Sequence, residues 1–189
     1  MTTGNSQQPV LTDEHRALIG VEAQPVTSPE PLERGAMRRF VQAIMDNDPV
    51  YWDEEYARQT RYGGVVVPPL AVTSVSRRRP GTPDPLDHFK VDPDWDGASP
   101  PAGRAQERPA GSLPPVLTPT LPRLLNGGVS AEFFAYGRPG DYITARQKYA
   151  DITERTGRDG PMVIVVTETT YTNQDALLLC KVRQTLIRR

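Results

Sequence analysis

Four strand-like runs in the second half of the chain limit the folds that it can adopt. Each is rich in apolar or β-branched residues, which is typical of strands in a sheet. The runs are Val129–Ala135, Asp141–Thr153, Met162–Thr172 and Ala176–Ile187, and the turns between them contain Arg138-Pro139-Gly140, Thr156-Gly157-Arg158-Asp159-Gly160 and Asn173-Gln174-Asp175. Parallel neighbours would need crossovers of about a dozen residues or more. The short turns therefore predict an antiparallel meander, and alternation along the last run predicts that Leu178, Cys180, Val182 and Leu186 face the core while Leu179 faces away.

The first half has the pattern of helices. Four apolar residues recur at i, i+3, i+4 and i+7, which predicts one face of an amphipathic helix: Met37, Phe40, Val41 and Ile44. Ser28 is the predicted N-cap of this helix, which ends near Met45, and Asp53 is the predicted cap of a second, short helix. A strand is expected near Ile19–Ala23. Helices followed by an antiparallel sheet indicate the α+β class.

Proline is concentrated in one segment between these halves. Eleven of the twenty prolines lie between Pro80 and Pro122, among glycines and charges without an apolar period. Such a segment predicts a long Pro-rich insertion at about residues 80–122, carried on the surface of the domain. Residues 1–17 are a polar N-terminal segment that we expect to be frayed, and residues 18–189 form a single domain.

Charge and cysteine content exclude several classes of protein. The 189 residues have a formal net charge of -1, which gives no electrostatic reason to expect nucleic acid or an anionic membrane as a partner. No apolar run is long enough to span a bilayer, and the polar N-terminus is unlike a signal peptide. The single cysteine, Cys180, lies among apolar residues and is predicted to be a buried thiol in a reducing compartment. A cytoplasmic protein is therefore expected.

The chain resembles the MaoC-like hydratases and dehydratases through a short loop after the first helix. Asp46-Asn47-Asp48-Pro49-Val50-Tyr51 has the spacing of their Asp-x-Asn-Pro-x-His motif. The segments around it are also similar, namely Trp52-Asp53-Glu54-Glu55-Tyr56-Ala57, Gly63-Gly64 leading into Val65–Ser76, Leu125-Asn126-Gly127-Gly128, Arg138-Pro139-Gly140-Asp141 and the end Thr185-Leu186-Ile187-Arg188-Arg189. The resemblance is strongest to the N-terminal, FAS1-like dehydratase type of domain.

This resemblance implies a hot-dog fold, in which a curved antiparallel sheet wraps around a central helix. In this sequence that helix would run from Pro68 to about Arg77. The resemblance also implies that two such domains pair and that acyl-thioester tunnels lie at their interface. No cofactor is implied.

The chain departs from the family motif at its catalytic position. In active members, the aspartate and histidine of the motif orient and deprotonate water for addition to a 2-enoyl thioester. Asp46 matches this aspartate, but Tyr51 stands where the histidine is expected, and Asp48 replaces the asparagine. A free tyrosine is only about 0.1% ionised at pH 7, so Tyr51 is a poor replacement for a histidine base.

Several other residues are candidates for binding, each with an ordinary structural alternative. Tyr51 and Trp52 would line an acyl pocket or belong to the core, and Asp46 would contact substrate or stabilise a turn. The segment Asn126-Gly127-Gly128 would let substrate approach the backbone or would simply start a strand. The remaining candidates are weaker, because surface positions are expected for His15 and His88, an exposed basic tail for Arg188 and Arg189, and a solvent-facing position for Glu132. One cysteine and two distant histidines do not form a metal site.

Three functions remain open from the sequence. The leading prediction is a non-catalytic, acyl-thioester-binding subunit of a heteromeric 2-enoyl-CoA hydratase or 3-hydroxyacyl-thioester dehydratase of fatty acid or lipid metabolism, inactive in isolation. Its partners would be an acyl-CoA or acyl-carrier-protein thioester and a second hot-dog subunit with an intact Asp/His motif. The alternatives are a self-sufficient homodimeric hydratase or thioesterase and a hot-dog binding or scaffold protein, since fold does not fix chemistry.

Overall fold

A five-stranded antiparallel sheet dominates the structure, a computed structural model that describes residues 10–74, 81, 83–93, 111–158 and 160–189. The strands are β1 (Val26–Thr27), β2 (Leu124–Phe133), β3 (Thr144–Gly157), β4 (Gly160–Thr172) and β5 (Leu178–Arg188). The α-helices are α1 (Asp13–Ala17), α2 (Arg34–Ile44) and α3 (Glu54–Gln59), and 3₁₀ helices cover Pro49–Tyr51, Pro69–Thr73 and Pro85–Lys90. The predicted α+β class is confirmed. None of the helices in these ranges has the length and hydropathy of a membrane span.

The strand order β1-β3-β4-β5-β2 corrects the predicted meander. Only β3, β4 and β5 follow one another, whereas β2 pairs with β5, so the turn at Arg138-Pro139-Gly140 does not close a hairpin. After β2 the chain leaves the edge and crosses to β3. Gly137 lies on this crossing, where a Cβ would approach Val67 Cγ2 to 3.0 Å. The connection can therefore pass over the core only because glycine has no side chain.

A β-bulge corrects the predicted face of Leu179. The register shifts between Tyr171 and Thr172, so that Thr172 pairs with Leu178 and Tyr171 pairs with Cys180. The extra residue in a bulge interrupts the alternation of faces. Leu179 and Cys180 are both buried as a result, which confirms Cys180 as a core thiol.

The strand and helix expected near the N-terminus are displaced. Residues 20–23 make backbone hydrogen bonds to β3, but only Glu22 forms a bridge, and β1 itself lies at Val26–Thr27. Ser28 does not cap α2, which begins at Arg34. Its buried hydroxyl instead accepts the Ile143 N–H at 3.0 Å. This hydrogen bond holds the segment before α2 against the residues that lead into β3. The helix therefore begins later in the sequence than predicted.

The predicted central helix is short in the described residues. Pro69–Thr73 form a 3₁₀ helix whose Ala71 and Val72 are buried, whereas residues 75–77 of the prediction lie outside the described residues. The hydroxyls of Thr73 and Ser74 donate to the carbonyls of Leu70 and Ala71 at 2.8 and 2.7 Å. Hydroxyls that bond local carbonyls in this way compete with the regular helical ladder.

The core continues into segments that were expected to lie outside it. One cluster contains Leu32, Met37, Val67, Ala71, Val72, Ile143, Ala145, Tyr171, Leu179 and Cys180, and a second contains Leu11, Val116, Leu121, Tyr149, Ile152, Val163 and Val165. Leu11 belongs to the N-terminal segment, and Val116 and Leu121 belong to the Pro-rich insertion. The expected surface position of the insertion is therefore wrong at Val116 and Leu121, and Leu11 is buried within the segment that was expected to be frayed. Residues 80, 82 and 94–110 of the insertion lie outside the described residues.

Candidate functional site

The motif loop is built from two aspartates that close successive turns. Met45 ends α2 in the left-handed conformation, with φ at 55°. Asp46 Oδ1 then accepts the Asp48 N–H at 3.0 Å, and Asp48 Oδ1 accepts the Val50 N–H at 3.0 Å. Asp48 thus caps the 3₁₀ helix Pro49–Tyr51. The turn-forming role of Asp46 is observed, while its contact with substrate stays a prediction.

Tyr51 is placed where its ionisation is unfavourable. Its side chain is half-buried beside the apolar residues Val50 and Val65. Burial raises the pKa of Tyr51 above its ordinary value, and the negative charges of Asp46 and Asp48 raise the pKa further. At neutral pH the phenol is therefore even less ionised than a free tyrosine, so less of the basic phenolate is present.

Two further tyrosines complete a cluster that the sequence did not predict. Tyr51, Tyr62 and Tyr136 pack together against Val50, Ala57, Val65 and Val66. The Tyr62 and Tyr136 rings meet edge to face, with centroids 4.9 Å apart and planes at 63°. Arg61 Nη2 donates to the Tyr62 hydroxyl at 2.7 Å. We call Tyr51, Arg61, Tyr62 and Tyr136 the tyrosine cluster.

Hydrogen bonding within the tyrosine cluster makes its phenols unequal. The Arg61 guanidinium, followed by the Tyr136 hydroxyl, lowers the pKa of Tyr62. Conversely, the hydrogen bond to Tyr62 raises the pKa of Tyr136 to about 12. Of the two phenols, Tyr62 is therefore the one that ionises more easily.

A tight turn presents Tyr62 to the other tyrosines. Thr60 ends α3, its hydroxyl donates to the Ala57 carbonyl at 2.7 Å, and it accepts the Tyr62 N–H. Gly63 follows with φ at 64°, which glycine adopts without strain. Arg138 Nη2 donates to the Tyr62 carbonyl at 2.6 Å and ties this turn to the chain after β2. In the sequence, Gly63-Gly64 was noted only as part of the family resemblance, and only an aromatic residue beside an arginine could have drawn attention to Tyr62.

The remaining sequence candidates are not gathered around this cluster. Trp52 is 54% exposed, so its place in an acyl pocket stays a prediction. Asn126-Gly127-Gly128 lie inside β2, at a bulge, and do not precede the strand as expected. Asn126 pairs with Leu186, seven residues along β5 from the Leu179 end, a distance of about 23 Å. Within one chain, this segment and the tyrosine cluster are therefore at opposite ends of the sheet.

The two histidines lie on segments of the chain other than the motif loop. His15 joins α1 to the Pro-rich insertion, because its Nδ1 accepts the Thr12 N–H at 3.1 Å and its Nε2 lies 2.8 Å from the Leu117 carbonyl oxygen. His88 is partly exposed on the 3₁₀ helix Pro85–Lys90. Its approach to a substrate tunnel stays a prediction.

The basic end of β5 differs from the exposed tail that was expected. Arg188 is only 7% exposed, whereas Arg189 is exposed as predicted. Arg189 lines an open cleft of about 830 Å³ together with Arg123 and Arg158. This cleft lies at the Asn126 end of the sheet. Glu132 is exposed as predicted.

The outer edge of β2 is an exposed apolar surface. The side chains of Val129, Phe133 and Phe134 are 60%, 48% and 53% exposed, and Leu124 and Leu125 are also exposed. A sheet edge carries unpaired backbone groups that can bind another strand. We call Leu124–Phe134 the open edge. It includes the Asn126 bulge and leads to the connection that carries Tyr136.

Comparison with known proteins assigns the family. The sequence profile described as FAS1-like, dehydratase domain region matches residues 17–94 and 102–181, most of the chain. The chain belongs to this dehydratase family. A UPF0336 protein from Streptomyces avermitilis is 35% identical over 72 residues, which are 35% of this chain and 48% of that protein. The chain spans about half the length of this curated relative.

Solved structures confirm the hot-dog fold of this FAS1-like dehydratase chain. The ChsH1-ChsH2 complex from Mycobacterium tuberculosis gives a TM-score of 0.64 at 14% identity, covering 93% of this chain and 87% of that one. The MaoC-like dehydratase from Rhodospirillum rubrum gives 0.54 at 18% identity, covering 88% and 92%. The 3R-hydroxyacyl-ACP dehydratase complex HadBC from M. tuberculosis gives 0.52 at 21% identity, covering 87% and 95%. The strand order and the family profile together confirm the predicted MaoC-like resemblance.

Proposed function

We propose that this chain is a non-catalytic, acyl-thioester-binding subunit of a heteromeric 2-enoyl-thioester hydratase or 3-hydroxyacyl-thioester dehydratase. It binds a CoA or acyl-carrier-protein thioester in the cytoplasm. Membership of the dehydratase family supports the class of reaction. The observation that carries the non-catalytic role is Tyr51, whose pKa is raised at the position of the motif histidine.

The chemistry of the motif loop favours binding over proton transfer. Addition of water to an enoyl thioester needs a group that accepts a proton near neutral pH. Tyr51 is neutral there, and Asp46 and Asp48 each use a carboxylate oxygen to hold a backbone turn. The half-buried tyrosines still present apolar ring surface to an acyl chain. The loop can thus contact an acyl group without activating water.

The open edge supports a second hot-dog subunit as the missing component. An exposed ten-residue edge strand that carries the apolar side chains of Leu124, Leu125, Val129 and Phe133 is suited to pairing with another strand. If a second β2 pairs antiparallel with it, the start of one strand lies opposite the end of the other. Asn126-Gly127-Gly128 of this chain would then approach the motif loop of the partner. A composite site of this kind would explain why one chain holds these candidates at opposite ends of the sheet.

Two of the similar structures are themselves complexes of two named components. ChsH1-ChsH2 and HadBC are described as complexes, and HadBC is named as a 3R-hydroxyacyl-ACP dehydratase. Their likeness to this chain lies in the fold. They support a two-subunit assembly as an arrangement that this fold permits, and we propose the same arrangement here.

The proposal is tested by comparing a substitution at the partner's motif histidine with a substitution at Tyr51 of this chain. The chain is co-expressed with a small hot-dog protein that carries the intact Asp/His motif, and hydration of enoyl-CoA is measured for the purified complex. Alanine at the motif histidine of the partner should abolish turnover, whereas Tyr51→Phe should change KM and leave kcat within about twofold. Loss of kcat by Tyr51→Phe would contradict the proposal. Failure of a motif-complete partner to bind would contradict the heteromer.

A further inference from the structure

The open cleft at the Asn126 end of the sheet combines positive charge with an apolar lining. Its volume of about 830 Å³ lies within the range of roughly 300–1,000 Å³ that is typical of small-ligand sites. None of the described residues that line it has a carboxylate side chain. The lining includes the cations Arg123, Arg158 and Arg189 and the apolar residues Leu121, Pro161 and Met162. We call this site the arginine cleft.

Backbone pairing places two of these arginines side by side. The Arg123 N–H donates to the Arg189 carbonyl at 2.9 Å, and the Arg189 N–H donates to the Arg123 carbonyl at 3.0 Å. Residues that exchange both bonds lie directly opposite each other in an antiparallel pair, and their side chains project from the same face. Like charges in such a pair repel each other. An anion that binds both guanidinium groups removes this repulsion.

The hairpin between β3 and β4 brings the third arginine to the cleft. Val163 of β4 pairs with Arg188 at the end of β5, so the residues before Val163 extend beyond β5. Arg158 lies in this extension, and its side chain is exposed. Pro161 and Met162 belong to the same extension and supply part of the apolar lining. The three cations therefore come from three different parts of the sheet and meet at its end.

This combination of groups favours a nucleoside phosphate as the ligand. Guanidinium groups bind phosphate oxygens through paired hydrogen bonds, and they also stack on flat rings. Three of them suit a ligand with several phosphates, and the apolar lining suits a nucleoside. CoA ends in an adenosine that carries a 5′-diphosphate and a 3′-phosphate. The phosphopantetheine arm of an acyl carrier protein has one phosphate and no nucleoside.

The position of the cleft is also compatible with a thioester ligand. Arg123 precedes Asn126 by three residues, a distance of about 10 Å along an extended strand. Asn126-Gly127-Gly128 is the segment proposed above to approach the motif loop of the partner. The flexible pantetheine arm of CoA can therefore join an acyl group in that composite site to a nucleotide in the arginine cleft.

We propose that the arginine cleft binds the nucleotide end of an acyl-CoA thioester, with its phosphates held by Arg123, Arg158 and Arg189. This assignment rests on the proposed acyl-thioester binding and deepens it, because it selects CoA as the carrier in place of an acyl carrier protein. The acyl chain and the nucleotide are then recognised by separate parts of the assembly.

Two thioesters that differ only in the nucleotide test the proposal. Hexanoyl-CoA has the nucleotide, and hexanoyl-pantetheine lacks it. Binding of both to the full chain in its purified assembly is measured by titration calorimetry. The wild-type chain should bind hexanoyl-CoA about 10- to 100-fold more tightly, the range expected for hydrogen bonds to a charged group. The double variant Arg123→Gln, Arg158→Gln should lose most of this preference and keep its affinity for hexanoyl-pantetheine, which also shows that it is folded.

A matched variant separates the arginine cleft from general charge. Arg38→Gln, Arg39→Gln removes the same charge from exposed positions on α2 and should behave as wild type. Adenosine 3′,5′-bisphosphate should compete with hexanoyl-CoA for the wild-type chain and not for the cleft variant.

The outcomes distinguish this assignment from the proposed function. Equal wild-type affinity for the two thioesters, or equal losses in the cleft variant and the α2 variant, would overturn the role of the cleft and leave acyl binding intact. Tighter binding of hexanoyl-acyl carrier protein than of hexanoyl-CoA would overturn the choice of CoA. Binding of none of these thioesters would overturn the proposed function itself.

Discussion

The two edges of the sheet are treated in opposite ways by the rest of the chain. At one edge, β1 contributes only two residues, and residue 111 lies against it so closely that a Cβ on Gly111 would meet Val26 Cγ2 at 2.6 Å. At the other edge, β2 is ten residues long, and most of its side chains are exposed. Proteins normally shorten or cover their edges to prevent unwanted pairing. The uncovered edge is therefore the one at which we expect a partner.

If the open edge is where a partner binds, negative charge introduced there should weaken association, and this is the largest effect that we expect. We expect the double variant Val129→Asp, Phe133→Asp to weaken association by 100-fold or more, because it places two carboxylates in an apolar interface. Analytical ultracentrifugation against protein concentration measures the change. Gln24→Asp, an exposed position beside β1, is the matched control and should assemble normally. Equal weakening by both variants would remove the distinction between the edges.

At the bulge in β2, adding one methyl group to Gly127 should destabilise the folded protein. A Cβ at Gly127 would lie 2.8 Å from Thr185 Cγ2 and 3.2 Å from two carbons of Ile187. These side chains are β-branched and cannot move aside easily. Gly127→Ala should lower the free energy of unfolding by about 1–3 kcal/mol, measured by urea denaturation.

Gly157→Ala is the control for this prediction. Its Cβ would meet the end of the flexible Met162 side chain, which can rotate away. We expect a smaller loss of stability than at Gly127. The reverse order would mean that the bulge is not held closely against β5.

A buried carboxylate in the middle of the sheet can be compared with an exposed carboxylate at the open edge. Buried Glu168 on β4 accepts a hydrogen bond from Arg183 at 2.8 Å and forms an ion pair with Lys148 at 3.2 Å. The hydrogen bond from Arg183, with the Lys148 contact, lowers the pKa of Glu168. Glu132 on β2 is exposed and directly opposite Lys181. Only the central carboxylate should therefore matter for folding.

Glu168→Gln should lower the free energy of unfolding by about 1–2 kcal/mol at pH 7, because solvent screens its half-exposed cations. A depressed folded-state pKa stabilises the protein above the unfolded value and loses that effect as pH falls through the folded value. The difference between wild type and variant should therefore shrink below about pH 4.5, the ordinary glutamate pKa. Glu132→Gln should change stability by less than about 0.5 kcal/mol. A pH-independent difference at Glu168 would indicate a packing effect.

The smallest expected effect is the reaction of Cys180 with thiol reagents. It pairs with Phe133 of the open edge, is fully buried, and burial raises its pKa to about 11. Thiol reagents should therefore not label the native chain measurably at pH 8. Faster labelling of the Val129→Asp, Phe133→Asp variant would indicate that β2 itself detaches from β5. Rapid labelling of the wild-type chain would contradict the buried position.

The sequence predicted the strands better than it predicted their order. β3, β4 and β5 lie within a few residues of the predicted runs because apolar alternation and turn residues are local signals. The return of β2 to β5 depends on contacts across the core at Gly137, and the capping of α2 was lost when Ser28 bonded Ile143. Leu179 was misplaced because a bulge shifts the alternation by one residue. Each of these depends on residues far apart in the chain.

The candidate site was predictable where a motif was present and not where contacts create it. The spacing from Asp46 to Tyr51 identified the motif loop, and the structure gives physical reasons why Tyr51 stays protonated. Tyr62 and Tyr136 are separated by 74 residues and meet only through the fold. The sequence also could not show that Asn126-Gly127-Gly128 lie at the other end of the sheet.

Turnover by this chain alone tests the non-catalytic role of Tyr51 most directly. Purified wild-type protein is assayed for hydration of crotonyl-CoA and a longer 2-enoyl-CoA, from pH 6 to 9, beside a motif-complete hot-dog hydratase at the same concentration. We expect no turnover above background for the isolated chain at any pH in this range, because Tyr51 remains protonated. Turnover at an ordinary enzymatic rate that Asp46→Asn abolishes would contradict it.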